Sequence, residues 1–190
     1  MTLEEGVADL HMHTTASDGK SSVKERAEQA KERGLEAIAI TDHGCISEVL
    51  ENPVQKIGDV EVITGVEIKA DISGTKIEIL GYYVDPNNEK LNSILGGVRE
   101  FRRERNKELA ENFVEVTGID TSYEDMKERN QGLLGRPHFA EVLIEEGLVD
   151  SVSEAFEEYL GEDGDIYVPT EKVDYRRVID AVHDAGGAAS

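Results

Sequence analysis

The run Ala37-Ile38-Ala39-Ile40-Thr41 constrains the fold more than any other stretch. It shows no alternation of polar and apolar residues, so a strand built from it is buried on both faces. Strands of that kind belong to parallel sheets covered by helices. Gly34 precedes the run and Asp42-His43-Gly44 follows it, which marks a short strand between a helix end and a loop. Residues 7–13 predict an earlier strand. Ser21 or Ser22 caps a helix running to about Arg33, with Glu25 placed for a capping box from Ser22. A weaker helix is expected over 46–56, broken or started by Pro53, and further strands over 60–68 and 76–83. Strand alternating with helix argues for parallel βα units.

In such sheets function gathers at the carboxyl ends of the strands. His11 and His13 stand two apart, on one face of an extended strand. Asp18 follows after a short bend and can swing back toward them. His43 sits where the second strand gives way to a loop, and Glu67 lies near the end of the third. Imidazoles and carboxylates converging at strand ends suit a divalent transition metal. A Glu67 buried in the sheet also needs a partner to offset its desolvation.

At 190 residues the chain fits one domain with an inserted subdomain. Residues 88–161 read as that helical insert, set on a body of 1–87 and 162–190. Its helices are expected over 91–115, 123–130, from Gly135-Arg136-Pro137-His138 through Glu145, and 152–160. The dense charges of the first are expected to form a solvated face. A last helix starting at 174 or 175 stops at Gly186-Gly187. Ala188-Ala189-Ser190 then begins a further strand, from which a C-terminally truncated domain is expected.

The net charge is −21, from 41 acidic and 20 basic residues. That excess resists compaction unless salt screens it, which suggests a halophilic host with a salty cytoplasm. It excludes a broad nucleic-acid-binding face but permits a local basic pocket for one phosphate end. The single cysteine, Cys45, excludes an internal disulfide. No apolar run reaches membrane-spanning length and no signal-peptide pattern opens the chain, so the expected compartment is the cytoplasm, with no membrane partner.

Three motifs together, Asp9-Leu10-His11-x-His13-Thr14-x-x-Ser17-Asp18-Gly19, Ile40-Thr41-Asp42-His43 and Gly65-Val66-Glu67-Ile68, resemble the PHP (polymerase and histidinol phosphatase) superfamily of metal-dependent phosphoesterases. With Gly135-Arg136-Pro137-His138-Phe139-Ala140 in the insert, the chain is similar to one branch of it. That branch holds 3′,5′-nucleoside bisphosphate phosphatases and 5′→3′ exonucleases acting on short RNA. The resemblance implies an α/β fold, a distorted (β/α)7 PHP barrel with a helical insertion, and a cluster of two or three divalent ions: Mn²⁺, Zn²⁺ or Fe²⁺. By motif, His11, His13 and Glu67 match ligands, with Glu67 bridging two ions, while Asp18 and His43 match ligands of a further ion. Glu78 stands where many relatives carry a histidine; as a carboxylate ligand it favours harder ions such as Mn²⁺. Further family ligands, a histidine and an Asp-x-His pair, are expected beyond residue 190.

The implied activity is hydrolysis of phosphate esters at nucleotide or short RNA ends by a metal-activated water. Arg136 is a candidate for gripping phosphate oxygens, and His138 for binding phosphate or protonating the leaving oxygen. A serine nucleophile at Ser17 is disfavoured, because no Gly-x-Ser-x-Gly elbow is present. Alternatives are a small-metabolite phosphatase of the histidinol-phosphate type and a non-catalytic metal-binding module.

Overall fold

The structure, a computed structural model, describes residues 7–129, 134–169 and 173–190. It divides into two compact units, one of Met1–Arg99 with Lys172–Ser190 and one of Glu100–Glu171.

In the first unit, β1 (Ala8–Met12), β2 (Ala37–Ile40) and β4 (Val60–Ile72) pair in parallel. Ile38, Ala39 and Ile40 of β2 are buried, as a run without alternation requires. Helix α1 (Val23–Glu32) crosses between β1 and β2. Ser22 Oγ accepts from Glu25 N at 3.3 Å while Glu25 returns to Ser22 N at 2.7 Å, the capping box expected there. The helix buries Val23, Ala27 and Ala30 against Met12, Ile38, Ile40, Val60 and Val62. Each large side chain so buried contributes about 1.5–3 kcal/mol.

Beyond this the sheet departs from all-parallel βα units. The helix expected over 46–56 is absent; Val54–Ile57 is instead a short strand, β3, antiparallel to β4 with Val54 opposite Ile63. Pro53 stops any helix ahead of it. Gln55 fixes the preceding loop, accepting from Glu51 N and donating to Val49 O. Strand β4 is longer than expected, and its second half pairs with β5 (Thr75–Tyr82) in an antiparallel hairpin. The turn needs two left-handed residues and has them: Ser73 at φ 53° and Gly74 at φ 92°. Helix α2 (Glu89–Thr117) begins in this unit. Leu91 and Leu95 from it, with Val178, Ala181 and Val182 of α6 (Tyr175–Asp184), cover the β4–β5 pair. Strand β6 (Ala188–Ala189) pairs antiparallel with β5. The result is a mixed α/β fold with a six-stranded sheet in the order β1-β2-β4-β5-β6, β3 lying beside β4. No pairing joins its two edges among the described residues, so the sheet is open rather than closed into a barrel.

The second unit is helical: the rest of α2, α3 (Tyr123–Arg129), α4 (Arg136–Glu145), α5 (Val152–Ala155) and a π-helical turn over Phe156–Leu160. Asn130, the expected end of α3, lies outside the described residues. Phe113, Phe139, Leu143, Leu160 and Ile166 form its own core. Ser151 caps α5 by accepting from Glu154 N, as its position before the helix suggests. No helix among the described residues is long and apolar enough to cross a membrane.

Candidate metal centre

Strand register brings the expected ligands together. His11 lies in β1 and His13 just beyond its end. The end of β2 delivers Asp42 and His43, and the backbone there pairs with β4: Glu67 N donates to Asp42 O at 3.1 Å and Gly44 N donates to Glu67 O at 2.8 Å. His43 and Glu67 thus stand side by side on neighbouring strands. Glu67 is not near a strand end, as expected, but inside β4, because that strand continues into its hairpin. Gly65 lets the strands close up two residues earlier. A Cβ there would lie 2.7 Å from Gly81 O and 2.9 Å from Thr41 Cγ2.

The side chains crowd around one carboxylate oxygen. Glu67 Oε2 lies 3.1 Å from His11 Nε2, 3.3 Å from His13 Nε2 and 3.3 Å from His43 Nδ1. The other nitrogens of two rings face Asp18: His13 Nδ1 at 3.5 Å and His43 Nε2 at 3.4 Å. Glu67 is 2% exposed, whereas His11 is half exposed, so the cluster opens to solvent on one side. His13 Nδ1 and His43 Nδ1 are buried yet hydrogen-bonded to nothing. Ligand atoms of His11, His13 and Glu67 lie within 4.8 Å of one another, and so do those of His13, Asp18 and His43.

Burial pushes the His43 imidazole below its ordinary pKa, and His13 and Lys69 push the same way; the charges of Glu67 and Asp18 oppose them without prevailing. The ring is therefore kept in the neutral form that ligates metal. Buried imidazole nitrogens without hydrogen-bond partners, together with carboxylate oxygens, are the donor set a borderline divalent ion takes. The residues fit such ions in two overlapping triads that share His13.

The loop carrying His13 and Asp18 is held by a residue to which the sequence had assigned no role. Asp42 is fully buried, and Oδ1 accepts from Thr14 N at 2.7 Å and Ser17 Oγ at 2.6 Å, while Oδ2 accepts from Thr14 Oγ1 at 2.6 Å. Ser17 is thereby a buried donor in a loop. Arg26 Nε donates to His13 O at 3.0 Å and braces the loop from α1. A buried acid beside hydroxyls from a distant loop was the available signal, since such an acid needs donors. Tyr82, at the end of β5, was also missed. Burial and the Glu67 charge raise its phenol, so it stays a hydroxyl beside the cluster.

Glu78 lies in β5 opposite Lys69, 3.5 Å from its Nζ, and joins neither triad. Burial works to raise its carboxyl, but contact with Glu67 and the charges of Lys69 and His43 outweigh that and lower it. Arg136 and His138 belong to the helical unit. His138 Nδ1 accepts from Gly135 N at 3.1 Å at the start of α4. Arg136 donates to Leu160 O at 3.0 Å and stacks 5.3 Å from the Phe156 ring. The Cys45 thiol reaches Ala16 O at 3.2 Å.

Known proteins resemble the chain along nearly all of it. A 5′-3′ exoribonuclease of Haemophilus influenzae is 34% identical over 183 residues, covering 95% of this chain and 66% of that protein. A 3′,5′-nucleoside bisphosphate phosphatase of Chromobacterium violaceum is 27% identical over 184 residues, covering 95% and 64%. The crystal structure of a protein described as a metal-dependent phosphoesterase, from Bifidobacterium adolescentis, superposes with a TM-score of 0.75 at 28% identity, covering 97% and 66%. The chain thus spans just under two thirds of each of these proteins. The sequence model of the PHP domain matches residues 9–186, a span that takes in every residue of both triads, and the chain belongs to the PHP domain family.

Proposed function

We propose that the chain carries the centre of a metal-dependent phosphoesterase that hydrolyses phosphate esters at nucleotide or short RNA ends. The observation that carries this reading is the meeting of three imidazoles at the buried Glu67 Oε2, with Asp18 across two of the rings. His11, His13 and Glu67 hold one ion and His13, Asp18 and His43 another, with Glu78 in reach as a further carboxylate. Mn²⁺ suits the carboxylate share best, Zn²⁺ and Fe²⁺ the imidazoles. Ions bound there supply a water of lowered pKa and neutralise charge on the phosphoryl oxygens.

The chain's own groups do the rest. Glu67 and Asp18 balance the cationic charge, and the Asp42 network keeps His13 and Asp18 in position. His138 accepts from Gly135 N through Nδ1, which leaves Nε2–H to donate a hydrogen bond to a phosphate or leaving oxygen. Arg136 offers a guanidinium fork to phosphate oxygens. We further propose that the sheet is part of a distorted seven-stranded β/α barrel and that the protein works in a salty cytoplasm.

The test is release of inorganic phosphate from adenosine 3′,5′-bisphosphate and from histidinol phosphate, in parallel, with Mn²⁺ supplied. Release from the bisphosphate, lost in His13→Ala, is expected. Release from histidinol phosphate alone moves the reading to a metabolite phosphatase. Release from neither, with Mn²⁺, Zn²⁺ or Fe²⁺, removes the enzymatic reading.

A further inference from the structure

Glu67 and Lys69 lie two apart on β4 and so share a face of the sheet. The antiparallel register sets Glu78 of β5 directly opposite Lys69, and Leu80 opposite Glu67. Glu78 is therefore the diagonal neighbour of Glu67, a separation that long side chains span. Its carboxyl is in contact with Glu67 and also meets Lys69 Nζ at 3.5 Å. Two acids and one ammonium thus stand together at the edge of the imidazole cluster.

Neighbouring carboxylates repel unless a cation joins them. Ligand atoms of His11, His13 and Glu67 converge closely enough to hold an ion, but Glu78 belongs to neither triad. The cation at Glu78 is the chain's own. Strand register keeps Lys69 opposite it, so the ammonium cannot diffuse away as a free ion does. The charge of Lys69 also reaches into the cluster: behind the larger effect of burial, it disfavours the charged form of His43. An exposed pair of this kind adds little to stability by itself. Beside a divalent ion it matters more, because ammonium and ion attract the same carboxylate and repel each other across a few ångströms.

We propose that Lys69 takes Glu78 out of the ligand set and stands as a fixed cation beside the metal centre. The inference rests on the metal centre proposed above and settles its composition. His11, His13, Asp18, His43 and Glu67 hold the ions. Glu78, although in reach, holds the ammonium instead of a further ion. Lys69 is thus a positioning residue, which acts on the centre through Glu78 and through its charge.

The Mn²⁺ affinity of the 190-residue chain, measured by equilibrium dialysis at fixed pH and ionic strength, tests this without any turnover. Four proteins are compared: the wild type, Lys69→Met, Glu78→Gln and the double variant. Both side chains are more than half exposed, at 64% and 53%, so the variants are expected to fold, which far-ultraviolet circular dichroism checks. Lys69→Gln and Glu78→Ala serve where a variant loses that signal. Lys69→Met removes the ammonium and frees Glu78, so Mn²⁺ should bind about tenfold more tightly, the scale of one unit charge acting on a nearby divalent ion. Glu78→Gln leaves the ammonium unopposed and should weaken binding about tenfold on the same scale. The double variant exchanges one neutral pair for another and should bind Mn²⁺ as the wild type does. A double variant weaker than the wild type by about tenfold or more makes Glu78 a ligand and overturns the proposal, since support for a ligand alone is worth ~10–100-fold. Single variants that bind as the wild type does overturn it too, because the pair then acts on nothing but itself. A wild-type chain that binds no Mn²⁺, Zn²⁺ or Fe²⁺ removes the metal centre and this inference with it. Equal ion binding by all four proteins keeps the centre and removes this inference alone.

Discussion

Three imidazoles crowd around the Glu67 carboxylate in the sheet unit, with Asp18 across two of them, while Arg102, Arg105 and Arg136 of the helical unit have no carboxylate partner among the described residues. The first arrangement is made by strand register: β1, β2 and β4 run in parallel, and their pairing puts residues 11, 13, 43 and 67 side by side. The second is made by helix packing around Asn106 and the start of α4. One gathers nitrogen and oxygen ligands suited to a cation, and the other gathers guanidiniums. The contrast shows that the local charge pattern differs between the units although the net charge of the chain is −21.

The largest expected effect separates the two directly. Glu67→Gln removes the oxygen on which three imidazoles converge. Metal affinity, read as stoichiometry after dialysis, should fall by more than about 100-fold, since even groups behind the ligands are worth ~10–100-fold. Phosphate binding by the metal-free chain should not change; if it falls equally, the two sites are not separate.

Next comes Asp42→Ala, which strands the Thr14 N–H and two hydroxyls in a buried loop. Urea unfolding should report a loss of about 3 kcal/mol. Metal affinity should weaken by ~10–100-fold as the His13–Asp18 loop loosens. An unchanged metal affinity would show that the loop does not depend on this carboxylate.

A pH series comes third. Burial depresses His43 below its ordinary 6.5. In the window between the folded and ordinary values the unfolded chain binds more protons than the folded one, so stability of the metal-free chain falls as pH drops through it. Metal affinity falls in the same direction, because protons compete for the ligand nitrogens. Guanidinium does not titrate there, so binding of sulfate, a dianion throughout, should stay level across the series.

The smallest effect is expected from salt. Raising KCl to molar levels screens self-repulsion of the −21 charge and should raise the melting temperature by roughly 2–4 °C for each kcal/mol gained. Phosphate binding at Arg136 should weaken in the same titration, while metal binding changes less. A melting temperature that does not rise argues against a halophilic host.

How much of this the sequence discloses follows from how local each cause is. Ser22 with Glu25, Pro137 and Ser151 announce helix starts because capping is settled within one turn. His11 and His13 announce a shared face because strand geometry has a period of two. Strand β3 is illegible because four residues pair only through register with β4, and the antiparallel course of β5 hangs on the Ser73-Gly74 turn. Glu67 looks like a strand-end residue because the strand is expected to stop at 68, whereas β4 runs on to Ile72 through its pairing with β5, and Gly65 lets Gly81 and Thr41 approach. Asp42 gives no local sign of holding Thr14 and Ser17, since its donors lie more than twenty residues away. Among the charges of α2, Arg103 and Lys107 meet the expectation of a solvated, paired face, but Arg105 stands apart only once Leu134 and Arg136 are folded against it.

The most direct test of the central claim is anomalous diffraction from crystals of the chain soaked in Mn²⁺ or Zn²⁺, recorded at the edge of the added metal. The account predicts at least one peak at bonding distance, about 2.0–2.2 Å, from the Glu67 carboxylate and the His11 and His13 imidazoles, and a second between Asp18 and His43. Soaked crystals whose anomalous map is flat at Glu67 would contradict it.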